Sequence, residues 1–179
     1  MKSELSTLWV LWYDKKNSNV DSDNWDKFLV RICSLKNLEK FCSILGNILP
    51  LSQLSNGASY HFFKKGIEPR WEDRLNINGG KWNLILHKQD FDKADRLWFL
   101  TLCSIIGGSF YTDLAPFITG IVGTVKRGQI RIAIWTMNSG NKNIQMNIGE
   151  IWKNIIQNSF ILEKFVIEFY PHKIHPFKN

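Results

Sequence analysis

The chain has 179 residues, 44% of them hydrophobic and 22% charged, which fits one globular domain with a core of its own and argues against disorder. Its 23 basic against 16 acidic residues leave a net charge of +7. That excess favours an anionic partner such as a nucleotide, a nucleic acid or a membrane surface, without choosing among them.

In chain order, residues 8–13 are rich in aromatic and β-branched side chains and read as a strand. The run is short and lacks a small-residue cleavage site, so it is not read as a secretory signal. Polar, turn-forming residues 15–23 lead to a second strand over 28–33. A helix follows Ser34, with Leu38, Phe41, Leu45 and Ile48 at steps of three and four. Residues 41–63 carry no charge, but Asn47, Pro50, Ser52, Gln53, Asn56 and Gly57 interrupt them, so they cannot serve as a membrane span. Strands are predicted over 59–63 and 82–86, with turn clusters at 54–59 and 76–80. A second helix runs from about 92 to 106, with Ala94, Leu97, Trp98, Thr101, Leu102 and Ile105 on one side and Gly107-Gly108 at its end. Strands over 118–125 and 130–136 flank Arg127-Gly128, a hairpin turn that makes this pair antiparallel. A third helix covers about 145–157, carrying Met146, Ile148, Ile151, Trp152 and Ile155, and a last strand covers 165–169. No period of 20–50 residues repeats. Three helices with one apolar stripe each, plus one sheet, give a two-layer α+β domain with its helices on one sheet face. The open face is then a natural site for a flat ligand.

The three cysteines, Cys33, Cys42 and Cys103, are too few and too widely spaced for a disulfide framework and point to a reducing compartment. Lying in apolar runs, they are expected to pack in the core. No Gly-x-Ser-x-Gly elbow, P-loop or Gly-x-Gly-x-x-Gly follows a strand. His172-x-x-His175 has no cysteine at ligand spacing, so zinc is not expected there. Glu68, Glu72 and Asp73 could hold Mg²⁺, but Arg70 and Arg74 are interleaved with them, which favours solvated ion pairs.

Eight tryptophans are more than a core this size needs, and some are therefore expected to face a ligand. The informative segment is Ile67-Glu68-Pro69-Arg70-Trp71-Glu72-Asp73, followed by Gly79-Gly80-Lys81-Trp82. Pro69 restricts the backbone and makes this a defined loop. An indole face and a carboxylate then stand side by side, and a carboxylate accepts two parallel N–H donors such as those on the Watson–Crick edge of guanine.

Together with Leu8-Trp9-Val10-Leu11-Trp12-Tyr13, the isolated Trp25, Gly66 before Ile67, Asp95-Arg96-Leu97-Trp98 and Ile132-Ala133-Ile134-Trp135-Thr136, these motifs resemble the cap-binding translation initiation factor 4E family. The likeness covers about 8–170. It implies a single cap-binding domain over 1–179, formed by one curved antiparallel sheet with three helices on its convex face and the ligand site on the concave side. It implies a non-enzymatic binder of the 7-methylguanosine 5′ cap of mRNA, acting in translation initiation without a cofactor or metal. The expected protein is a cytoplasmic monomer off the membrane, with a nuclear fraction left open.

By this resemblance Trp25, in the loop after the first strand, and Trp71 sandwich the methylated base. N7-methylation makes guanine cationic, and stacking a desolvated cation on an indole contributes around 2 kcal/mol or more. Glu72 accepts the N1 and N2 hydrogens, at about 1.5–3 kcal/mol for each bond to a charged group. Trp135 lines the methyl side. Lys81, Lys126 and Arg131 meet the phosphates, with Arg127 as a neighbour because the turn aligns in more than one register. The family more often has Arg at the first two of these positions, so bidentate forks have become point charges. Trp9, Trp12, Trp82 and Trp98 are assigned to core or sheet packing, and Trp152 to the buried stripe of the third helix.

The likeness also implies a scaffold or repressor helix on the helical face, met by Leu38, Cys42, Phe99, Leu100 and Cys103. Cys42 stands where the family has its key indole, Leu100 replaces a glutamate and Cys103 a leucine. Losing a tryptophan anchor is not conservative, so partner binding is expected to be altered. A cap-binding repressor that recruits no scaffold is the alternative. Further rivals are a cap-hydrolysing enzyme using Glu68, Glu72 and Asp73, and a general single-strand RNA binder using aromatic platforms.

Overall fold

The computed structural model describes residues 3–15 and 28–172. All seven expected strands are present: β1 (Glu4–Lys15), β2 (Val30–Asn37), β3 (Ala58–Lys64), β4 (Gly80–Leu86), β5 (Ile118–Lys126), β6 (Gln129–Thr136) and β7 (Ile167–Pro171). They form one curved antiparallel sheet in the order β2-β1-β3-β5-β6-β4-β7. The helices are α1 (Leu38–Leu45), α2 (Ala94–Ile106), a single turn α3 (Tyr111–Leu114) and α4 (Lys142–Asn158).

Period-two alternation separates the two faces of the sheet. Trp9 and Leu11, Tyr60 and Phe62, Trp82 and Leu84, and Ile130, Ile132 and Ile134 join Phe41, Leu97, Leu102, Ile148, Trp152 and Ile156 in one buried cluster. Each such side chain contributes about 1.5–3 kcal/mol on burial. The intervening positions face the other way and build only a small cluster of Phe63, Ile67 and Val122, with Leu75 and Trp135 packed on it. The helices therefore share one face, and the other is left for the site.

Boundaries differ from expectation for physical reasons. β2 continues to Asn37, because Leu35 and Asn37 keep pairing with β1 past a register shift. Helix α1 starts at Leu38, where the Asn37 side chain caps it by accepting from Lys40 N at 2.9 Å. Helix α4 starts at Lys142 rather than 145 because Asn141 caps it, accepting from Ile144 N at 3.2 Å. A 3₁₀ segment, Lys88–Lys93, takes the place of the first residues expected in α2. The hairpin turn is as expected: Arg127 and Gly128 both have positive φ, 53° and 71°, the pattern of a type I′ turn.

Cysteine placement corrects the sequence reading. Cys42 is exposed on α1, and Cys33 and Cys103 are half-buried, all as free thiols. Phe41, fully buried, takes the inward position beside Cys42. Trp12 also departs from the other core indoles. It is half-buried and alternates onto the open face with Asp14, whereas Trp9, Trp82 and Trp98 are buried.

Candidate functional site

A cleft of about 560 Å³ opens on the face away from the helices. Its floor comes from Asp14 of β1, Ser59 and His61 of β3, Val122 and Thr124 of β5 and Ala133 of β6. Its walls are Trp71 with Pro69 and Arg70 from one loop, Lys81 and Asn83 of β4, Lys126, Arg131, Trp135, and His172 beyond β7.

The loop carrying Trp71 (residues 65–79) is held from within. Asn76 is fully buried, and its Nδ2 donates to Glu68 O at 3.0 Å and Arg70 O at 2.9 Å. Asp73 accepts from Glu68 N and Leu75 N, both at 2.9 Å. Arg70 pairs with Glu68 at 2.8 Å, a partly exposed ion pair contributing at most about 1 kcal/mol. These acids are thus used locally, and among the described residues no group of three or more His, Cys, Asp or Glu could hold a metal. Gly79-Gly80 fixes the end of the loop against the sheet. A Cβ at Gly79 would lie 2.0 Å from Thr136 O, and one at Gly80 would lie 2.4 Å from Phe169 Cζ. Bonded to Gly80 at the start of β4, Lys81 is aimed at the cleft.

Trp135 forms the far wall. Phe63 meets it edge-on at 5.4 Å between ring centroids, His172 packs on it at 4.3 Å, and Lys81 Nζ lies 5.9 Å from its centroid. Burial, and secondarily the Lys81 charge, push the His172 pKa down to about 4, so this imidazole is neutral at pH 7. Arg131 is steadied by Gln129 Oε1 at 3.0 Å. Asp14 and His61 pair at 3.0 Å, with 2% and 7% of their surface exposed.

Five of the expected ligand residues therefore share one cleft: Trp71, Trp135, Lys81, Lys126 and Arg131. Glu72 is exposed beside Trp71 and outside the cleft lining. Trp25 lies outside the described residues. Arg127 is exposed at the hairpin turn, where its amide donates to Asn56 Oδ1 at 2.8 Å. On the helical face Leu38 and Phe99 are 43% and 49% exposed, Cys42 is exposed, and Leu100 and Cys103 are half-buried. Phe41 and Phe99 stack there at 6.5 Å. Sequence reasoning missed Asp14, His61, Asn76 and His172. The one available signal was a carboxylate closing an otherwise aromatic and aliphatic strand.

The family described as Eukaryotic initiation factor 4E matches residues 4–179. The chain is a member of the initiation factor 4E family. It is similar to the eukaryotic translation initiation factor 4E-1 of Hordeum vulgare subsp. vulgare, 37% identical over 152 residues that span 85% of this chain and 68% of that protein. In fold it is similar to Ascaris suum eIF4E-3 solved with an m7G cap, at a TM-score of 0.88 and 31% identity over 99% of this chain and 96% of that one. It is also similar to C. elegans eIF4E-3 in complex with the 4E-binding protein Mextli and cap analog, at a TM-score of 0.84 and 27% identity over 96% and 94%.

Proposed function

We propose that this 4E-family chain binds the 7-methylguanosine 5′ cap of mRNA in translation initiation, as a binder and not an enzyme. The observation that carries the reading is the convergence of Trp71 and Trp135 with Lys81, Lys126 and Arg131 on one cleft. An aromatic surface beside three cations suits a cationic base joined to a polyanion. In this reading Trp71 and Trp25 enclose the methylated guanine, Glu72 accepts from its N1 and N2 hydrogens, and Trp135 meets the methyl side. The three cations take the triphosphate. The cap held by the Ascaris suum relative supports the assignment.

The test is a titration of intrinsic tryptophan fluorescence with 7-methylguanosine triphosphate, GTP and a long uncapped RNA, each with Mg²⁺ and again in EDTA. Strong quenching by the methylated nucleotide alone is expected. Equal response to GTP and long RNA would make the chain a general single-strand binder, and Mg²⁺-dependent breakdown of the cap would make it a hydrolase. Lys126→Ala is expected to lower affinity several-fold and to flatten the salt dependence of binding by about one unit of slope, the signature of a lost phosphate contact. An unchanged slope removes Lys126 from the phosphate site.

For the helical face, Leu38, Cys42, Phe99, Leu100 and Cys103 form the proposed partner surface, and the Mextli complex of the C. elegans relative supports a protein partner. The exposed Cys42, small where an indole anchor is expected, favours a second reading, a cap-bound repressor that recruits no scaffold. Capture on immobilised 7-methylguanosine triphosphate in lysate separates the two by whether a large scaffold co-purifies.

A further inference from the structure

The residues assigned above to base and phosphates leave the floor of the cleft unexplained. Asp14 and His61 come from neighbouring strands, β1 and β3, and are both more than nine-tenths buried. Both line the cleft. An ionised carboxylate can only accept, so the 3.0 Å contact between Asp14 Oδ1 and His61 Nε2 puts a proton on Nε2 and fixes the ring. The other ring nitrogen, Nδ1, is buried and has no hydrogen-bond partner among the described residues. Directly across from His61 in β1, Trp12 Nε1 is a second buried nitrogen without one.

Buried polar atoms are almost always paired, and one at the floor of a ligand cleft marks a place where the ligand supplies the pair. We infer that His61, positioned by Asp14, recognises the ribose hydroxyls of the bound nucleotide. This rests on the cap reading above and deepens it. Within that reading the N1 and N2 hydrogens go to Glu72 and the phosphate oxygens to the three cations. Of the polar groups that remain, the guanine O6 and N3 can only accept, whereas the sugar hydroxyls can also donate. A hydroxyl both donates and accepts, so it satisfies Nδ1 whether the imidazole is neutral or protonated, whereas a phosphate oxygen satisfies only the imidazolium. The placement agrees. His61 pairs in register with Val122, which pairs with Ala133, so two strand spacings, about 10 Å, separate it from the strand carrying Arg131 and Trp135. The sugar, lying between base and phosphates, occupies that middle ground.

The experiment compares 7-methylguanosine triphosphate with its 2′,3′-dideoxy analogue at pH 7, on the native protein and on His61→Phe. The native protein is expected to bind the ribose form about tenfold more tightly, the scale of one hydrogen bond to an otherwise unpaired buried group. His61→Phe is expected to lose about that factor for the ribose form and to treat the two sugars alike. His61→Gln, which keeps an acceptor, is expected to recover part of the discrimination. Equal affinities on the native protein, or undiminished discrimination in His61→Phe, overturn the assignment. Indifference of the native protein to the sugar overturns the inference without any variant, and reduced discrimination in His61→Gln carries the assignment to His61 if His61→Phe does not fold. GTP is titrated alongside. Preference for the methylated base without preference between sugars overturns this inference alone, while loss of the methyl preference overturns the cap reading and this inference with it.

Discussion

Replacing Trp71 with alanine is expected to weaken binding of 7-methylguanosine triphosphate by at least about a hundredfold, with the thermal midpoint nearly unchanged. Two contributions vanish together: the stacking area of a base on an indole, worth about 1–3 kcal/mol, and the attraction of the ring face for a desolvated cation, about 2 kcal/mol. Folding should not suffer. Trp71 is only half-buried, and its loop is held by the amide of Asn76 and the carboxylate of Asp73. Trp71→Phe keeps a smaller ring and should fall between alanine and the native protein. Because unmethylated GTP lacks the charge, its binding should change far less, so the ratio of the two affinities is the decisive measurement. An alanine variant that binds within tenfold of the native protein would dismiss the stacking role.

Trp152→Ala should do the opposite. This indole has no exposed surface, and its Nε1 donates to Thr101 Oγ1 at 3.1 Å; that hydroxyl in turn donates to Leu97 O at 2.8 Å. Truncation leaves a large cavity and removes a partner from a buried hydroxyl, for about 3–5 kcal/mol. Against a typical total of about 5–15 kcal/mol this is a severe loss. At about 2–4 °C per kcal/mol, the thermal midpoint should drop by roughly 10 °C or more. Below that midpoint the variant should still bind the cap analogue within a few-fold, since Trp152 packs on the helix side of the sheet. A midpoint shift under about 3 °C would mean that this corner of the core collapses without cost.

The two indoles also mark how far the sequence could be read. Aromatic and β-branched runs marked every strand, including β3 and β5, which are buried on both faces and show no alternation, and helical spacing marked the long helices. On α4 the spacing placed Ile148 and Trp152 inward correctly, but it put Met146, 61% exposed, in the same stripe and missed the buried Ile156. End points slipped where a side chain, not a period, sets the boundary: Asn37 and Asn141 each accept from a backbone N–H of the first turn. Trp71, Lys81 and Trp135 were legible because they sit in linear motifs. Asp14 and His61 were not, since 47 residues separate them and only the register of β1 on β3 makes them neighbours. His172 was read as one half of a weak metal pair. In the fold its ring lies on Trp135, a contact created by the pairing of β7 with β4.

The sheet is a single backbone thick, with the helices packed on one side and the cleft opening on the other. Substitutions on the two sides share few neighbours, and energies at sites without common partners add nearly independently. An exposed residue of the helical face such as Cys42 can therefore change without disturbing the side chains that line the cleft. Innovation in recruitment is thus uncoupled from fidelity of recognition by nothing more than the two-sidedness of a pleated layer.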